Sequence, residues 1–396
     1  MSSYDAIVIG AGPAGATAAL LLARAGWQVA VVERAAYPRG KVCGEYVSPA
    51  TLALLHDLGL GDVTSGAGPE VRRVAVWSDA VRASANMPAY AHQRARYGRA
   101  LGREECDARL LRHAVAAGVA LWQPFRASAL RGAPGAFECE VKSASSQHTL
   151  HARCVIAAHG SWEAGALPTQ GARVPARPGD LLGFKAHFRG VALEPDLLPL
   201  MSFPGGYAGM VHTSGARVNV SCCVRRDALA AIRDRYPGLP AGDALLAGLR
   251  AENRCARLAL ASAERLAPWL ACGPLRPGMR RGRVEGVYAV GNAAGEAHPL
   301  VGEGVTMAIQ SAALLCAALR ETASNGWAEA GARYECEWRR LFATRLRLSA
   351  CYAHLAMRPA WSLAAASLLS RAPRLLTLAA RWSGKARGCG PAVGAP

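Results

Sequence analysis

The stretch Tyr4–Arg34, YDAIVIGAGPAGATAALLLARAGWQVAVVER, contains the features that decide the fold. Residues 6–9 form a short apolar run rich in β-branched side chains, which is the pattern of a buried parallel strand. A glycine-rich turn follows, and residues 16–25 have helix-forming composition before Gly26 ends the helix. Residues 28–32 are a second apolar strand. This order predicts a strand–turn–helix–strand unit with two parallel strands.

The glycines of this turn are spaced as G-x-G-x-x-G, at Gly10, Gly12 and Gly15. In such a turn the first glycine allows a tight bend, the second lets the backbone approach a pyrophosphate, and the third lets helix and strand pack closely. The phosphates then lie at the positive end of the helix. Glu33 follows the second strand, where a carboxylate accepts hydrogen bonds from ribose hydroxyls. The complete unit predicts a dinucleotide site rather than a purely structural βαβ unit.

Composition limits the class of protein. A chain of 396 residues with 52% hydrophobic residues can form two domains, or one domain with a large insertion. No apolar run reaches the ~20 uncharged residues of a membrane span. The twelve cysteines include no C-x-x-C pair, so we expect reduced core thiols and no metal site. Because the fold begins at residue 4, we expect neither a signal nor a transit peptide, and a cytoplasmic location.

The formal charge of +18 is concentrated late in the chain. Residues 333–387 contain eleven Arg or Lys against Glu335 and Glu337, which is half of the total excess. These cations alternate with Leu, Trp, Phe and Ala. The pattern is typical of helices that pack on the body and expose an arginine face, and the alternative is peripheral membrane contact near anionic lipid. We expect no nucleic-acid partner, because no recognition motif accompanies the charge.

Two segments resemble a known flavoprotein family. Residues 38–49, PRGKVCGEYVSP, resemble flavoproteins of the geranylgeranyl-reductase and flavin-halogenase branch of the class A (para-hydroxybenzoate-hydroxylase-like) flavin monooxygenase superfamily. Residues 286–311, GVYAVGNAAGEAHPLVGEGVTMAIQS, are similar to the family's G-D-A-A…P-x-x-G-x-G segment, with Asn292 in place of the usual aspartate. The resemblance spans roughly residues 4–320 and implies that FAD is the cofactor.

Periodicity predicts further strands. Four runs between residues 181 and 225 alternate apolar and polar side chains and are separated by Gly/Pro turns, which favours an antiparallel sheet. Residues 119–122, 125–130 and 137–142 predict a β-meander, whereas the segment that ends at Arg96, after a strand over 71–77, shows no regular pattern.

The resemblance implies an α/β fold in which a Rossmann-like FAD-binding domain carries an inserted antiparallel-sheet substrate domain and C-terminal helices. Both domains are then discontinuous in sequence. The predicted boundaries are residues 1–70, 97–175 and 280–325 for the FAD-binding domain, 71–96 and 176–279 for the substrate-binding β-sheet domain, and 326–396 for the basic C-terminal helical region.

The resemblance also implies which residues hold FAD. Arg103 would reach the phosphates, where a guanidinium fork suits phosphate oxygens, and a main-chain group near Ala129 would face the adenine. Asn292 would hold the ribityl chain, and the helix that begins near residue 305 would stabilise negative charge on the reduced flavin. The predicted cofactor-binding residues are Gly10, Gly12, Pro13, Ala14, Gly15, Glu33, Arg34, Lys41, Cys43, Gly44, Arg103, Ala129, Asn292, Ala293, Pro299, Gly302, Gly304 and Val305.

The electron donor is less well defined. The family usually has Ala-Asp-Gly where this chain has Ala158-His159-Gly160, in a segment tied to NADPH binding. We expect NADPH or NADH as donor, either directly or through a separate flavin reductase. His159 is interpreted as a turn residue.

The resemblance implies a monooxygenase of secondary metabolism that hydroxylates or inserts oxygen into an apolar polyketide- or lipid-like substrate through a flavin C4a-hydroperoxide. The halogenase W-x-W-x-I-P segment is absent, and the reductase Tyr-x-Trp-x-Phe-Pro segment is echoed only by Phe203-Pro204 and Tyr207. The alternatives are a double-bond reductase or desaturase on a prenyl or acyl chain, and a non-enzymatic flavin-binding protein. The polar candidates for catalysis are His298, Glu303, Glu45, Tyr207 and His212.

Overall fold

The structure is a computed structural model that describes residues 3–92, 95–160, 165, 167–171, 174–280, 284–322 and 326–385. Residues 386–396 of the predicted C-terminal region lie outside the described residues. The described residues form twenty strands: β1 Ser3–Ile9, β2 Val29–Val32, β3 Tyr46–Val47, β4 Glu70–Val71, β5 Arg73–Ser78, β6 Val81–Asn86, β7 Gly98–Ala100, β8 Ala120–Trp122, β9 Arg126–Ala133, β10 Ala136–Lys142, β11 Gln147–Ala157, β12 Leu181–Arg189, β13 Leu197–Phe203, β14 Gly206–His212, β15 Val218–Arg225, β16 Glu264–Arg265, β17 Leu270–Leu275, β18 Gly278–Met279, β19 Val287–Ala289 and β20 Gly295–Glu296.

The described residues also form ten α-helices. They are α1 Pro13–Arg24, α2 Pro49–Asp57, α3 Arg103–Ala116, α4 Arg226–Arg235, α5 Ala241–Glu252, α6 Arg254–Ala259, α7 Gly304–Glu321, α8 Trp327–Ala356, α9 Pro359–Arg371 and α10 Pro373–Ala380. A π-helical turn, Arg381–Lys385, follows α10.

The first sheet has the order β8-β2-β1-β11-β10-β9, with β19 paired to β11 beyond the end of β10. Strands β8, β2, β1, β11 and β19 are parallel to one another, and β9 and β10 are antiparallel. Side chains of β1 alternate between two layers, because Ala6 and Val8 pack among the helices and Ile7 and Ile9 pack beneath the antiparallel strands. Both faces of the sheet are therefore covered.

The meander differs from the prediction. Strand β8, which covers most of residues 119–122, pairs in parallel with β2 instead of joining the next two strands. The meander consists of β9, β10 and β11. The reason is that β8 follows helix α3, so it completes a crossover to a parallel neighbour. The segment without a regular pattern contains β6, whose partly exposed residues hide the strand periodicity.

The second sheet has the order β16-β12-β15-β14-β13-β5-β6, with β17 also paired to β12. Its neighbours are antiparallel except for β13 and β5, which are parallel. In sequence, β5 and β6 lie between β2 and β8 of the first sheet, and β12 to β17 lie between β11 and β19 of the first sheet. The two sheets are consequently interleaved along the chain, which confirms the mixed α/β fold.

A buried ion pair joins the segment after β2 to the second sheet. Glu45 adopts a φ of +62° and is 1% exposed. Its carboxylate accepts hydrogen bonds from Lys185 Nζ and, at 2.9 Å, from His187 Nε2, both on β12. Burial alone raises the pKa of Glu45, but the hydrogen bond from His187 and the charge of Lys185 outweigh it and hold the pKa below its ordinary value. Glu45 is therefore ionised and neutralised by β12.

The C-terminal helices cover the second sheet. Helix α8 packs against α7, whereas α9 and α10 pack across β5 and β6. Ser362 of α9 hydrogen-bonds Ser202 at 2.8 Å and Ser78 at 3.0 Å, and Thr377 of α10 donates to the carbonyl of Asn86 at 2.8 Å. Within the described ranges, no helix combines the length and apolar composition needed to cross a bilayer.

Replacing Lys185 with methionine tests the ion pair. We expect Lys185→Met to lower the free energy of unfolding by about 3 kcal/mol, because it leaves the buried Glu45 carboxylate with His187 alone. Urea unfolding measures the change, and Lys142→Met, at an exposed lysine, is the matched control. The difference from wild type should be fully present at neutral pH and shrink as the pH falls through the lowered pKa of Glu45, because a protonated Glu45 no longer needs the charge of Lys185. Equal stability of Lys185→Met and wild type at pH 7 would contradict this role.

Candidate functional site

The glycine-rich turn between β1 and α1 is built by close backbone contacts. Gly10 has a φ of +103°, and a Cβ there would lie 2.6 Å from the carbonyl oxygen of Ala158. A Cβ on Gly15 would lie 1.8 Å from the carbonyl oxygen of Gly10. In contrast, a Cβ on Gly12 would meet no atom within 4 Å. Gly10 and Gly15 are thus fixed by packing, whereas Gly12 borders open space at the N-terminus of α1.

Glu33 stabilises this turn from the end of β2. Its carboxylate accepts hydrogen bonds from the backbone N–H groups of Ala11 and Ala35, both at 2.9 Å, and lies 3.6 Å from Arg39. Each oxygen has a lone pair left for a further donor, such as a ribose hydroxyl. The backbone N–H of Phe125 donates to the carbonyl of Glu33 at 2.9 Å. This hydrogen bond places the residue that precedes β9 beside the end of β2.

The second glycine-rich segment, residues 286–311, contacts the start of α1 although the two are far apart in sequence. A Cβ on Gly291 would lie 2.9 Å from the Cβ of Ala14, so the segment that follows β19 touches α1. Gly302 is left-handed, with a φ of +63°, and α7 begins two residues later at Gly304. The N-termini of α1 and α7 consequently open on one cavity, which favours bound negative charge.

This cavity has a volume of about 520 Å³. Many of the predicted cofactor residues line it, namely Gly12, Pro13, Ala14, Lys41, Cys43, Gly44, Arg103, Asn292, Pro299, Gly302, Gly304 and Val305. Six predicted residues do not line it. Gly15, Ala293 and Glu33 are buried, Gly10 is half-buried, Arg34 is exposed beside Glu33, and Ala129 lies on β9.

Two cations face the cavity beside the turn. Arg103 is buried and donates from Nε and Nη2 to Asp107 at 2.8 and 2.6 Å, which leaves its third nitrogen for another acceptor. Burial and the neighbouring charge of Arg103 lower the pKa of Lys41 to about 8. Lys41 therefore remains mostly protonated at pH 7. Phosphate oxygens suit both groups.

Tyr207 and His298 form a buried hydrogen-bonded pair. The hydroxyl of Tyr207, which lines the cavity, lies 2.7 Å from His298 Nδ1. Burial lowers the pKa of His298 to about 4 and raises the pKa of Tyr207 well above its ordinary value, so both groups are neutral at pH 7. His298 Nε2 is buried without a hydrogen-bond partner in the described part of the chain. The pair can hold a proton between the Tyr207 oxygen and His298 Nδ1, next to the cavity that Tyr207 lines.

The other three catalytic candidates are placed differently. Glu45 lines the cavity, but its carboxylate is occupied by the ion pair with Lys185. Glu303 is buried at the N-terminus of α7, where its charge contributes to raising the pKa of Tyr46, after burial itself. His212 lies outside the cavity lining, and its Nε2 contacts the carbonyl of Leu193 at 2.9 Å.

Away from the glycine segments the cavity becomes an apolar chamber between the second sheet and the C-terminal helices. Leu198 and Met210 line it from the sheet, and Leu368, Leu369 and Leu376 line it from α9 and α10. The sequence interpretation did not place α9 and α10 at the site. Their amphipathic pattern shows that one face is buried, but not which partner buries it.

Comparisons with known proteins agree with this geometry. Residues 3–192 match the family model described as FAD binding domain. The menaquinone reductase of Mycobacterium tuberculosis is 52% identical over 59 residues, which are 15% of this chain and 14% of the relative. The chain thus matches only a small part of the curated relatives' length.

Solved structures show the same fold over most of the chain. The myxobacterial chondrochloren halogenase CndH has a TM-score of 0.74 at 22% identity, covering 88% of this chain and 82% of the other. A geranylgeranyl bacteriochlorophyll reductase-like protein from Thermoplasma acidophilum has a TM-score of 0.73 at 18% identity, covering 95% and 92%. At these identities the likeness concerns the fold alone.

Replacing Gly12 with alanine tests the cofactor cradle, by which we mean the part of the cavity beside the N-termini of α1 and α7. We expect Gly12→Ala to weaken FAD binding by at least about tenfold, because the added Cβ occupies the space that a pyrophosphate needs while touching no protein atom. FAD titration followed by flavin fluorescence measures the affinity. Gly179→Ala, at another glycine with open surroundings, is the matched control. Unchanged affinity in Gly12→Ala would show that the phosphates bind elsewhere.

The residues of the cavity fit FAD. Gly12 and the two helix N-termini line the cavity, and Arg103 and Lys41 offer positive charge to a pyrophosphate there. The domain match over residues 3–192 and the residues of this cavity together identify an FAD binding domain in the chain, and the chain has the fold of the solved FAD-dependent halogenase CndH.

Proposed function

We propose that the protein is an FAD-dependent oxidoreductase, namely a monooxygenase that inserts oxygen into an apolar, polyketide- or lipid-like substrate bound in the chamber. Bound FAD supplies the redox chemistry, which includes the activation of dioxygen. The protein binds the substrate, orients it against the flavin and excludes water.

The continuity between the cofactor cradle and the apolar chamber carries this proposal. The cavity runs without a break from Gly12 and Gly304 to Leu369 and Leu376. A substrate in the chamber can therefore contact the flavin directly. An apolar lining favours an apolar substrate, and it also excludes water from the place of reaction.

The charges along the wall support the same proposal. Glu45 is paired with Lys185, Glu296 lies 3.3 Å from Arg280, and Arg103 is paired with Asp107. Paired groups of this kind do not serve as a free base toward a substrate. Oxygen transfer from a flavin to an electron-rich carbon requires few protein acids or bases. It is therefore compatible with a cavity whose charged groups are paired with one another.

We propose NADPH or NADH as the source of electrons, either by direct binding or through a separate flavin reductase. At the turn where the family usually has aspartate, His159 Nε2 lies 2.8 Å from the hydroxyl of Thr169. Burial lowers the pKa of His159, so the side chain is neutral and offers no negative charge in place of the usual aspartate. This difference favours a separate reductase.

Isotopically heavy dioxygen tests the reaction. The FAD-loaded enzyme, reduced by NADPH with a flavin reductase, is incubated with an apolar extract and searched by mass spectrometry for enzyme-dependent products. We expect products that carry one heavy oxygen atom and that are absent without dioxygen, because the inserted atom comes from dioxygen. Products formed without dioxygen that have gained two hydrogens would contradict oxygen insertion.

The pair of Tyr207 and His298 favours a second candidate, reduction of a carbon–carbon double bond in a prenyl or acyl chain. Such a reduction needs a proton at one carbon in addition to a hydride at the other. Tyr207 lines the cavity, and we propose its neutral hydroxyl as the donor. The partial match to a menaquinone reductase supports this candidate.

Tyr207→Phe distinguishes the two reactions. If Tyr207 donates the proton, we expect kcat to fall by about 10² to 10³-fold with FAD binding unchanged, because phenylalanine keeps the ring and removes the hydroxyl. Tyr236→Phe, at the half-buried end of α4, is the control. A fall of less than about tenfold would exclude this proton donor and leave oxygen insertion as the better proposal.

A further inference from the structure

Helices α9 and α10 and the turn after them expose a cluster of large apolar side chains. Trp361 is 59% exposed, Leu368 57% and Trp382 50%. The complete cluster, here called the C-terminal face, comprises Trp361, Leu363, Leu368, Leu375, Leu378 and Trp382. Exposing so many large apolar groups within one short segment is costly in water, which indicates a binding surface.

The C-terminal face lies opposite the residues that pack on the body. On α10, Leu376 and Ala380 are buried against residues that include Val74 and Val211 of the second sheet, whereas Leu378 is exposed, as is Trp382 in the π-helical turn that follows. On α9, Ser362 is buried and hydrogen-bonded, whereas Trp361 and Leu368 are exposed at a spacing of seven residues. Each helix therefore uses one face for the fold and presents another to its surroundings.

The C-terminal face is also cationic. Arg358, Arg371, Arg374 and Arg381 are exposed among its apolar residues. The sequence contains no Asp or Glu after Glu337, so no acidic side chain of these helices neutralises them. Apolar side chains, indole rings and arginines on one surface match the apolar boundary, the headgroup region and the phosphates of an anionic bilayer.

The cavity reaches the C-terminal face. Leu368 lines the chamber and is nevertheless more than half exposed. Leu369 and Leu376, from the same two helices, also line the chamber and are less exposed than Leu368. An apolar molecule that leaves a bilayer beneath this face can therefore enter the chamber without first crossing water.

We propose that the C-terminal face binds the surface of an anionic lipid bilayer and that the apolar substrate enters the cavity from the bilayer. The route of entry rests on the proposed function, whereas the docking does not. A second copy of the chain is a poor occupant, because it would bring the same four arginines against one another. An acidic carrier protein would match the arginines but has less need of two exposed tryptophans, and the test includes it.

Vesicle cosedimentation tests the docking. The full FAD-loaded chain is mixed with vesicles of phosphatidylcholine containing about one-third phosphatidylglycerol, or with phosphatidylcholine alone. We expect binding to the anionic vesicles that weakens as salt is added. Trp361→Ala combined with Trp382→Ala, and separately Arg374→Gln combined with Arg381→Gln, should each reduce the partition coefficient by at least about tenfold.

Control variants on α6 keep the comparison matched. Leu258→Ala changes another exposed leucine, and Arg254→Gln combined with Arg257→Gln changes two exposed arginines; all should bind as wild type. Bound FAD confirms that each variant is folded. The proposal is overturned if the wild-type protein does not bind anionic vesicles, or if the double tryptophan variant binds them as tightly as wild type does. It is also overturned if the wild-type protein does not bind vesicles and the tryptophans are needed instead for dimerisation or for binding an acidic carrier protein.

The assay separates the two proposals because it requires no turnover. Vesicle binding without oxygen insertion would contradict the proposed reaction and support the proposed docking surface. Oxygen insertion without vesicle binding would do the reverse.

Discussion

The structure depends on the close approach of three backbone segments. Gly10 and Gly15 let β1 and α1 approach each other, Ala158 at the end of β11 lies against Gly10, and Gly291 brings the segment after β19 onto Ala14. A side chain at any of these glycines would separate the segments by overlap with backbone or with a packed methyl group. Because segments far apart in sequence must meet here, the cradle forms only when the whole first sheet is assembled.

This constraint explains how the two halves of the cavity differ. Next to the glycines the wall is backbone, helix N-termini and paired charges, all suited to a charged dinucleotide. Farther away the wall consists of leucine, valine and methionine from the second sheet and from α9 and α10. The Glu45–Lys185 pair lies between these halves and holds the cofactor segment on β12. Together with the buried hydrogen bond between Tyr207 and His298, this pair links the cofactor segments to the second sheet.

Local patterns in the sequence were sufficient for much of the fold. The strand–turn–helix–strand unit, the helix α7 and the strands β12 to β15 agree with the predictions to within a few residues, because each has its own periodicity and turn residues. The placement of β8 was wrong, since pairing is decided by distant partners. For the same reason the sequence could not show that Glu45 meets Lys185, which lies 140 residues away, or that α9 and α10 enclose the chamber. The roles of Tyr207 and of the cofactor residues stay predictions.

The position of α9 and α10 in chain order has a consequence for biosynthesis. Both helices follow every strand of the two sheets, yet they supply one wall of the chamber. During translation the cradle residues, the last of which lie at the start of α7, leave the ribosome before these helices do. The chamber therefore lacks this wall until α9 and α10 dock, and their docking completes the enclosure.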